Sequence, residues 1–166
     1  MDGEGGDVSV SQFDVVQTAL DAFGREAGFL KRSSTWHRRQ PETIAVLNLQ
    51  RSQYGPQYYV NVALWLLPLG ETDAPKEHKC HVRTRLGTLV GPAREGRVAA
   101  LLSLEADIDE ETRRDEILGI LRSDVLPVLE ACGTIDGLRS PVGERLVRQS
   151  LVVLAAQELL RSSATG

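Results

Sequence analysis

The chain has 166 residues, 42% apolar and 25% charged, a balance that fits one ordinary domain able to bury a core without disulfide staples. Its net charge of −4 argues against a dedicated nucleic-acid binder, which needs a basic surplus to neutralise phosphates. No apolar run approaches the ~18 residues of a membrane-spanning helix and no signal-like segment opens the chain, so the expected setting is a reducing cytoplasm with Cys80 and Cys132 as free thiols.

In chain order, ragged ends are expected at about residues 1–8 and 162–166. Ser9 or Ser11 can cap a first helix, with Asp14 favourable beside its exposed amides. Val10, Phe13, Val16, Leu20, Phe23 and Ala27 then recur at steps of three and four as one apolar stripe, and Gly28 ends the helix. Phe29 and Leu30 lead into a strand running through Trp36 to Arg39, and Pro41 makes the turn. Residues 43–51 and 57–67 are apolar, β-branched and aromatic runs around a polar break at Gly55-Pro56, the pattern of a β-hairpin.

A loop follows from Pro68 to Pro75. Glu77 to Val90 reads as a fourth strand, with Cys80, Val82, Thr84 and Leu86 on one face and His81, Arg83 and Arg85 on the other. Gly91-Pro92 breaks it. Residues 98–104 form a fifth strand or a buried helix turn, a choice that periodicity does not decide in so short a run. Asp109 can cap a helix from Glu110 to Ala131, kinked or split at Pro127. Gly133 to Ser140 is a turn or short helix. Pro141 opens a last helix whose Leu146, Val147, Ser150, Leu151, Leu154 and Leu159 face a core. The expected architecture is a single α+β domain over residues 1–166: an antiparallel four- or five-stranded sheet packed by the N-terminal helix and the C-terminal helices.

Two stretches are charge-biased. Residues 31–51 hold five lysines and arginines against Glu42, and residues 105–116 hold seven acids against Arg113 and Arg114. One reading is a basic sheet edge and an acidic helix start that favours the helix dipole; the other is a pair of oppositely charged patches that steer a charged partner.

Trp36-x-Arg38, Ile44-x-Val46-x-Asn48-x-Gln50-x-Ser52, Gly55, Tyr58-Tyr59-Val60-Asn61 and Cys80-His81-Val82-Arg83-x-Arg85-Leu86 resemble a bacterial family of domain-of-unknown-function proteins, the one numbered 4304. The likeness spans roughly residues 13–130 and includes Gly28-Phe29 at the end of the first helix. It implies a bacterial, cytoplasmic, single-domain α+β protein. It brings no catalytic residue and no ligand. Some small families of similar build act as immunity proteins beside secreted toxins, and that is an analogy of build only.

Within each strand, alternation groups Trp36 with Arg38, Asn48 with Gln50, Tyr59 with Asn61 and Trp65, and His81 with Arg83 and Arg85. If these faces coincide, Trp36, Arg38, Asn48, Gln50, Tyr59, Asn61, Arg83 and Arg85 form a binding platform of guanidinium, amide and aromatic groups suited to a carboxylate, a phosphate or an acidic protein segment. The competing reading has the amides tying down strand ends, since Ile44 and Val46 share the Asn48 face. His37, His78, Cys80 and His81 lack the paired spacing of a zinc site, and His81, which with His37 would be the candidate base for Cys80, points away from it on a strand, so neither a metal nor a cysteine nucleophile is expected. The acids from Glu105 to Glu111 read as a solvated cap, and no phosphate-binding loop or dinucleotide motif is present. The expectation is a non-enzymatic protein-binding domain, concretely an immunity or adaptor protein, with no cofactor, no nucleic acid and no membrane. The alternative is a small-molecule or anion-binding protein, an enzyme included, with a pocket on the same face. A structural homo-oligomer is a third reading, supported only by the apolar run Leu151-Val152-Val153-Leu154.

Overall fold

A computed structural model describes residues 3–162, with side chains from Val15 onward. The first helix, α1, runs Gly3–Ala27. Its bounds take in both Ser9 and Ser11, so neither caps its start; the contacts expected of Val10 and Phe13 lie outside the described side chains. Val16, Leu20 and Phe23 are buried, as their spacing requires. Gly28 ends the helix at a φ of +79°, and Phe29 N–H donates back to Gly24 O at 2.8 Å, a C-terminal cap that needs a residue without a Cβ.

The strand expected from Leu30 to Arg39 is two strands. β1 (Leu30–Arg32) and β2 (Thr35–Arg39) pair as a hairpin, because Ser33 adopts a left-handed φ of 58° and turns the chain after Arg32. β3 (Thr43–Arg51) and β4 (Tyr58–Leu66) are the central hairpin, bounded close to the positions read from sequence. β5 (Val82–Arg85) is four residues long, far shorter than the expected strand over 77–90. A 3₁₀ turn occupies Glu77–Lys79, and α2 (Leu86–Val90) follows at once. Leu86, Leu89 and Val90 reach the same core at helical spacing, which overrides the strand pattern. Of the two readings of 98–104 the helical one holds: α3 (Pro92–Leu101) begins with Pro92 in its first turn and buries Val98 and Leu101, with Leu102 buried just past its end.

Asp109 caps α4 (Glu110–Ile120), accepting from Thr112 N–H at 3.0 Å. Pro127 splits the long helix as expected: a π-helical turn over Leu121–Val125 precedes α5 (Leu126–Ala131), and the wider turn absorbs the lost amide hydrogen bond. α6 (Ile135–Leu138) and α7 (Pro141–Arg148) follow. The last helix expected from Pro141 stops at Arg148, and β6 (Leu151–Val152) then pairs with β5 before α8 (Leu154–Ser162). Leu151 and Leu154 are 73% and 64% exposed, not core-facing; Leu146, Val147 and Leu159 do meet the core as expected, joined by Val152, Ala156 and Leu160.

The result is an α+β fold: one six-stranded antiparallel sheet in the order β1-β2-β3-β4-β5-β6, one or two strands more than expected. The helices cover its inner face, where Trp36, Ala45, Leu47, Leu49, Val60, Val62, Leu64 and Val82 meet α1, α4 and the C-terminal helices. The outer face holds a small cluster of Ile44, Val46, Ala63 and Cys80, with Trp65 and Leu67 against it. Segment 67–81 lies over that cluster, held by His37 Nε2–H donating to Pro75 O at 2.8 Å and Trp65 Nε1–H donating to Gly70 O at 2.7 Å. Cys80 precedes β5 and therefore joins this outer cluster, on the face opposite Val82 and Leu86.

Candidate functional site

Strand register decides which of the eight candidate side chains meet. Asn48 pairs with Asn61, Asn61 with Arg85, Gln50 with Tyr59, and Ala63 with Arg83. Paired residues share a face, so Asn48, Gln50, Tyr59, Asn61, Arg83 and Arg85 are together on the outer face, on the half that segment 67–81 leaves open. Trp36 pairs with Leu47 and Arg38 with Ala45, both inward, so these two candidates lie on the opposite, helix-covered face. Trp36 is 1% exposed; its indole N–H donates to Asp21 of α1 at 3.1 Å. Arg38 pairs with Glu130 of α5 at 3.2 Å. Both hold helices to the sheet and neither belongs to the open surface.

A chain of amides crosses three strands. Asn61, 5% exposed, donates from Nδ2 to Asn48 Oδ1 at 3.0 Å and to Gln50 Oε1 at 2.9 Å. Asn48 in turn donates to Thr35 Oγ1 at 3.0 Å and to Ser34 O at 3.3 Å. The amides thus stitch the strands together, as the competing reading held, but the stitching fixes a polarity. With its carbonyl oxygen engaged by Asn61, Gln50 turns its amide N–H groups to solvent.

Arg85 is exposed, and its guanidinium carbon lies 3.9 Å from the centre of the Tyr59 ring. This stacking holds the cation flat against the sheet, and among the described residues Arg85 has no acidic partner. Arg83, by contrast, donates from Nε to Glu77 at 3.0 Å. Beside them the chain returns through residues 148–151: Thr84 Oγ1–H donates to Gln149 O at 3.1 Å, and Arg148 pairs with Glu144. The resulting cleft, about 470 Å³, is lined by Gln50, Asn61, Glu77, Arg83, Arg85 and Arg148 among others. Glu77, Arg148 and the edge residue Leu151 were not among the sequence candidates. Glu77 was hidden by the strand reading of residues 77–90, and the last two lie more than sixty residues from Arg85 with no local pattern to signal them.

The two cysteines and His81 are engaged elsewhere. Burial pushes the Cys80 thiol up to about 12, and Glu77 adds to it. Burial alone pushes Cys132 up to about 11. At neutral pH both remain thiols. His81 Nδ1 accepts from Leu66 N–H at 2.8 Å, its ring packs 4.2 Å from Trp65, and burial lowers its pKa. Among the described residues no group of three or more His, Cys, Asp or Glu is placed to hold a metal ion, and no helix is long and apolar enough to cross a membrane.

Searches of curated proteins and of solved structures returned no match to this chain. The family profile of a domain of unknown function, DUF4304, matches residues 20–131. That span contains β1 to β5 and every candidate residue on the open face, so the chain belongs to the DUF4304 family.

Proposed function

We propose that the protein is a non-enzymatic binding domain that engages another protein through the open half of its outer sheet face, as an immunity or adaptor protein of the bacterial cytoplasm would. The observation that carries this reading is the contrast within one face. Segment 67–81 covers the half with Ile44, Val46 and Ala63, while the half with Gln50, Tyr59 and Arg85 is left open over the buried Asn61, whose hydrogen-bonded amide chain fixes its geometry. A surface already ordered before binding loses little entropy on association, and a planar cation on an aromatic ring is a recurrent contact in protein recognition.

The test is affinity capture from native cells with wild-type bait and with Tyr59→Ala, chosen because Tyr59 carries the stacked arginine without contributing to the inner core. One stoichiometric partner, lost with the folded variant, is the expected result. A partner retained in full by Tyr59→Ala would overturn the assignment to this face. A second reading has its own observation, the 470 Å³ cleft beside Arg83, Arg85 and Arg148, which could hold a small anion instead. A thermal midpoint that climbs with the concentration of one acidic metabolite favours it.

A further inference from the structure

The open cleft is unbalanced in both charge and hydrogen bonding. Three arginines line it against one glutamate, Glu77, which is already bonded to Arg83. Arg148 is drawn toward Glu144 at 3.3 Å. Arg85 has neither an ion pair nor a hydrogen bond among the described residues, only the Tyr59 ring beneath it. Gln50 turns donors outward next to it. An oxyanion suits this cleft, where it would accept from a guanidinium whose plane is already fixed.

An apolar feature adjoins this cationic one. Leu151 is the direct cross-strand neighbour of Arg83 on the outer face, at the edge of the sheet, and is 73% exposed; Leu154, 64% exposed, follows it. Strand spacing and rise put the Cα atoms of Leu151 and Arg85 about 8 Å apart on the diagonal, with the guanidinium turned the other way, over Tyr59. An extended chain repeats a side-chain direction about every 7 Å, and the longer arm of a glutamate reaches on toward the guanidinium.

From this we infer that the partner presents an extended Leu-x-Glu segment, its carboxylate on Arg85 and its apolar side chain on Leu151, an inference that rests on the proposed protein-binding reading of this face. The acid completes the charge of the cleft, and the apolar residue covers an exposed leucine that the fold does not bury.

The probe is a fluorescein-labelled octapeptide with a central Leu-Ser-Glu in a Gly/Ser context, titrated by polarisation at low and moderate salt. Its Leu-Ser-Gln counterpart and unlabelled glutarate and inorganic phosphate serve as competitors. The expected result is saturable binding that salt weakens, at least tenfold weaker for the Gln peptide and for Arg85→Gln protein, and several-fold weaker for Leu151→Ser. Amide shifts in a nitrogen–proton spectrum should centre on Arg83, Arg85 and Leu151. Equal affinity for the Glu and Gln peptides overturns the carboxylate anchor. Glutarate or phosphate competing as strongly as the peptide itself reassigns the cleft to a small anion. In the capture experiment, a partner lost with Tyr59→Ala but kept by Arg85→Gln overturns this inference alone, whereas one kept by both overturns the face as well.

Discussion

Arg113 is the residue on which the fold makes its sharpest quantitative demand. It is a cation 1% exposed, one turn before Ile117 among the buried residues of α4, where a charge is rarely found without partners. Its guanidinium satisfies the loop that leaves α3: Nη1 donates to Ser103 O at 3.0 Å, to Ala100 O at 3.4 Å and to Leu101 O, and Nη2 donates to Ala106 O at 3.1 Å. Those carbonyls include the negative end of α3, which favours a cation. Burial first, and the Arg97 charge second, lower the Arg113 pKa, yet an arginine stays charged at neutral pH. The same loop clasps the central hairpin, since Tyr58 N–H donates to Leu102 O at 2.9 Å and Leu104 N–H to Pro56 O at 2.8 Å.

Truncation to Ala removes three well-formed charge-assisted bonds, to Leu101, Ser103 and Ala106, at about 1.5 kcal/mol each taken at the low end. Some of the freed carbonyls will find water, so the net cost is about 3–4 kcal/mol, a large part of the ~5–15 kcal/mol that holds a domain together. Arg113→Lys keeps the charge but not the fork, and should lose about half as much. Urea unfolding followed by the fluorescence of Trp36 and Trp65, the only tryptophans, measures both. A loss under about 1 kcal/mol for Arg113→Ala, at unchanged urea slope, would falsify the carbonyl-cage argument. Native-state exchange gives a local reading as well: the Leu104 and Tyr58 amides should lose protection before the rest of β4.

Three further outcomes follow from the packing and the titrating groups. A Cβ at Gly143 would stand 2.3 Å from Gly137 O and 2.4 Å from Leu138 O, so Gly143→Ala must push α7 off α6. At about 1–3 kcal/mol for such overpacking, and roughly 2–4 °C per kcal/mol at this size, Tm should fall by about 2–12 °C; an unchanged melt refutes the close approach. Cys80 and Cys132, both buried with pKa values pushed up to about 12 and about 11, should resist iodoacetamide at pH 8 in the native protein and react together in urea, so rapid native labelling of either would contradict their burial. His81 has its pKa lowered from 6.5 by burial, and protonating Nδ1 would also break its bond from Leu66 N–H. The unfolded chain therefore binds a proton that the folded one resists. Stability from this group is present above pH 6.5 and is lost as pH falls through the depressed folded value, and His81→Gln should flatten that part of the pH–stability curve.

How much of this was legible in the sequence turns on which distances a local pattern can report. Alternation placed Asn48 with Gln50, and Tyr59 with Asn61, because strand side chains repeat every two residues whatever lies alongside. It could not report which strands share a face, since that depends on the pairing register that each connection imposes. Four residues separate Arg39 from its partner Ile44, and six separate Arg51 from Tyr58; both even counts pair odd-numbered residues with even-numbered ones. Trp36 and Arg38 thereby fall inward, opposite Asn48 and Asn61. Helix signals were read well where a cap or breaker marks them, at Gly28, Asp109 and Pro127. They were misread where core contacts chose the period, at Leu86–Val90, were left undecided over 98–104, and were misread again where an exposed leucine imitated a core one, at Leu151 and Leu154. The same limit explains the site. Its half on β3 to β5 comes from one contiguous stretch and could be assembled from alternation, but Arg148 and Leu151 arrive from the far end of the chain, brought there because β6 must cover the edge of β5. That late strand converts an exposed strand edge into a cleft, and its length of two residues leaves Leu151 standing beside Arg83 and Arg85. The face that the sequence could half describe is therefore completed by the element that local pattern was least able to foresee.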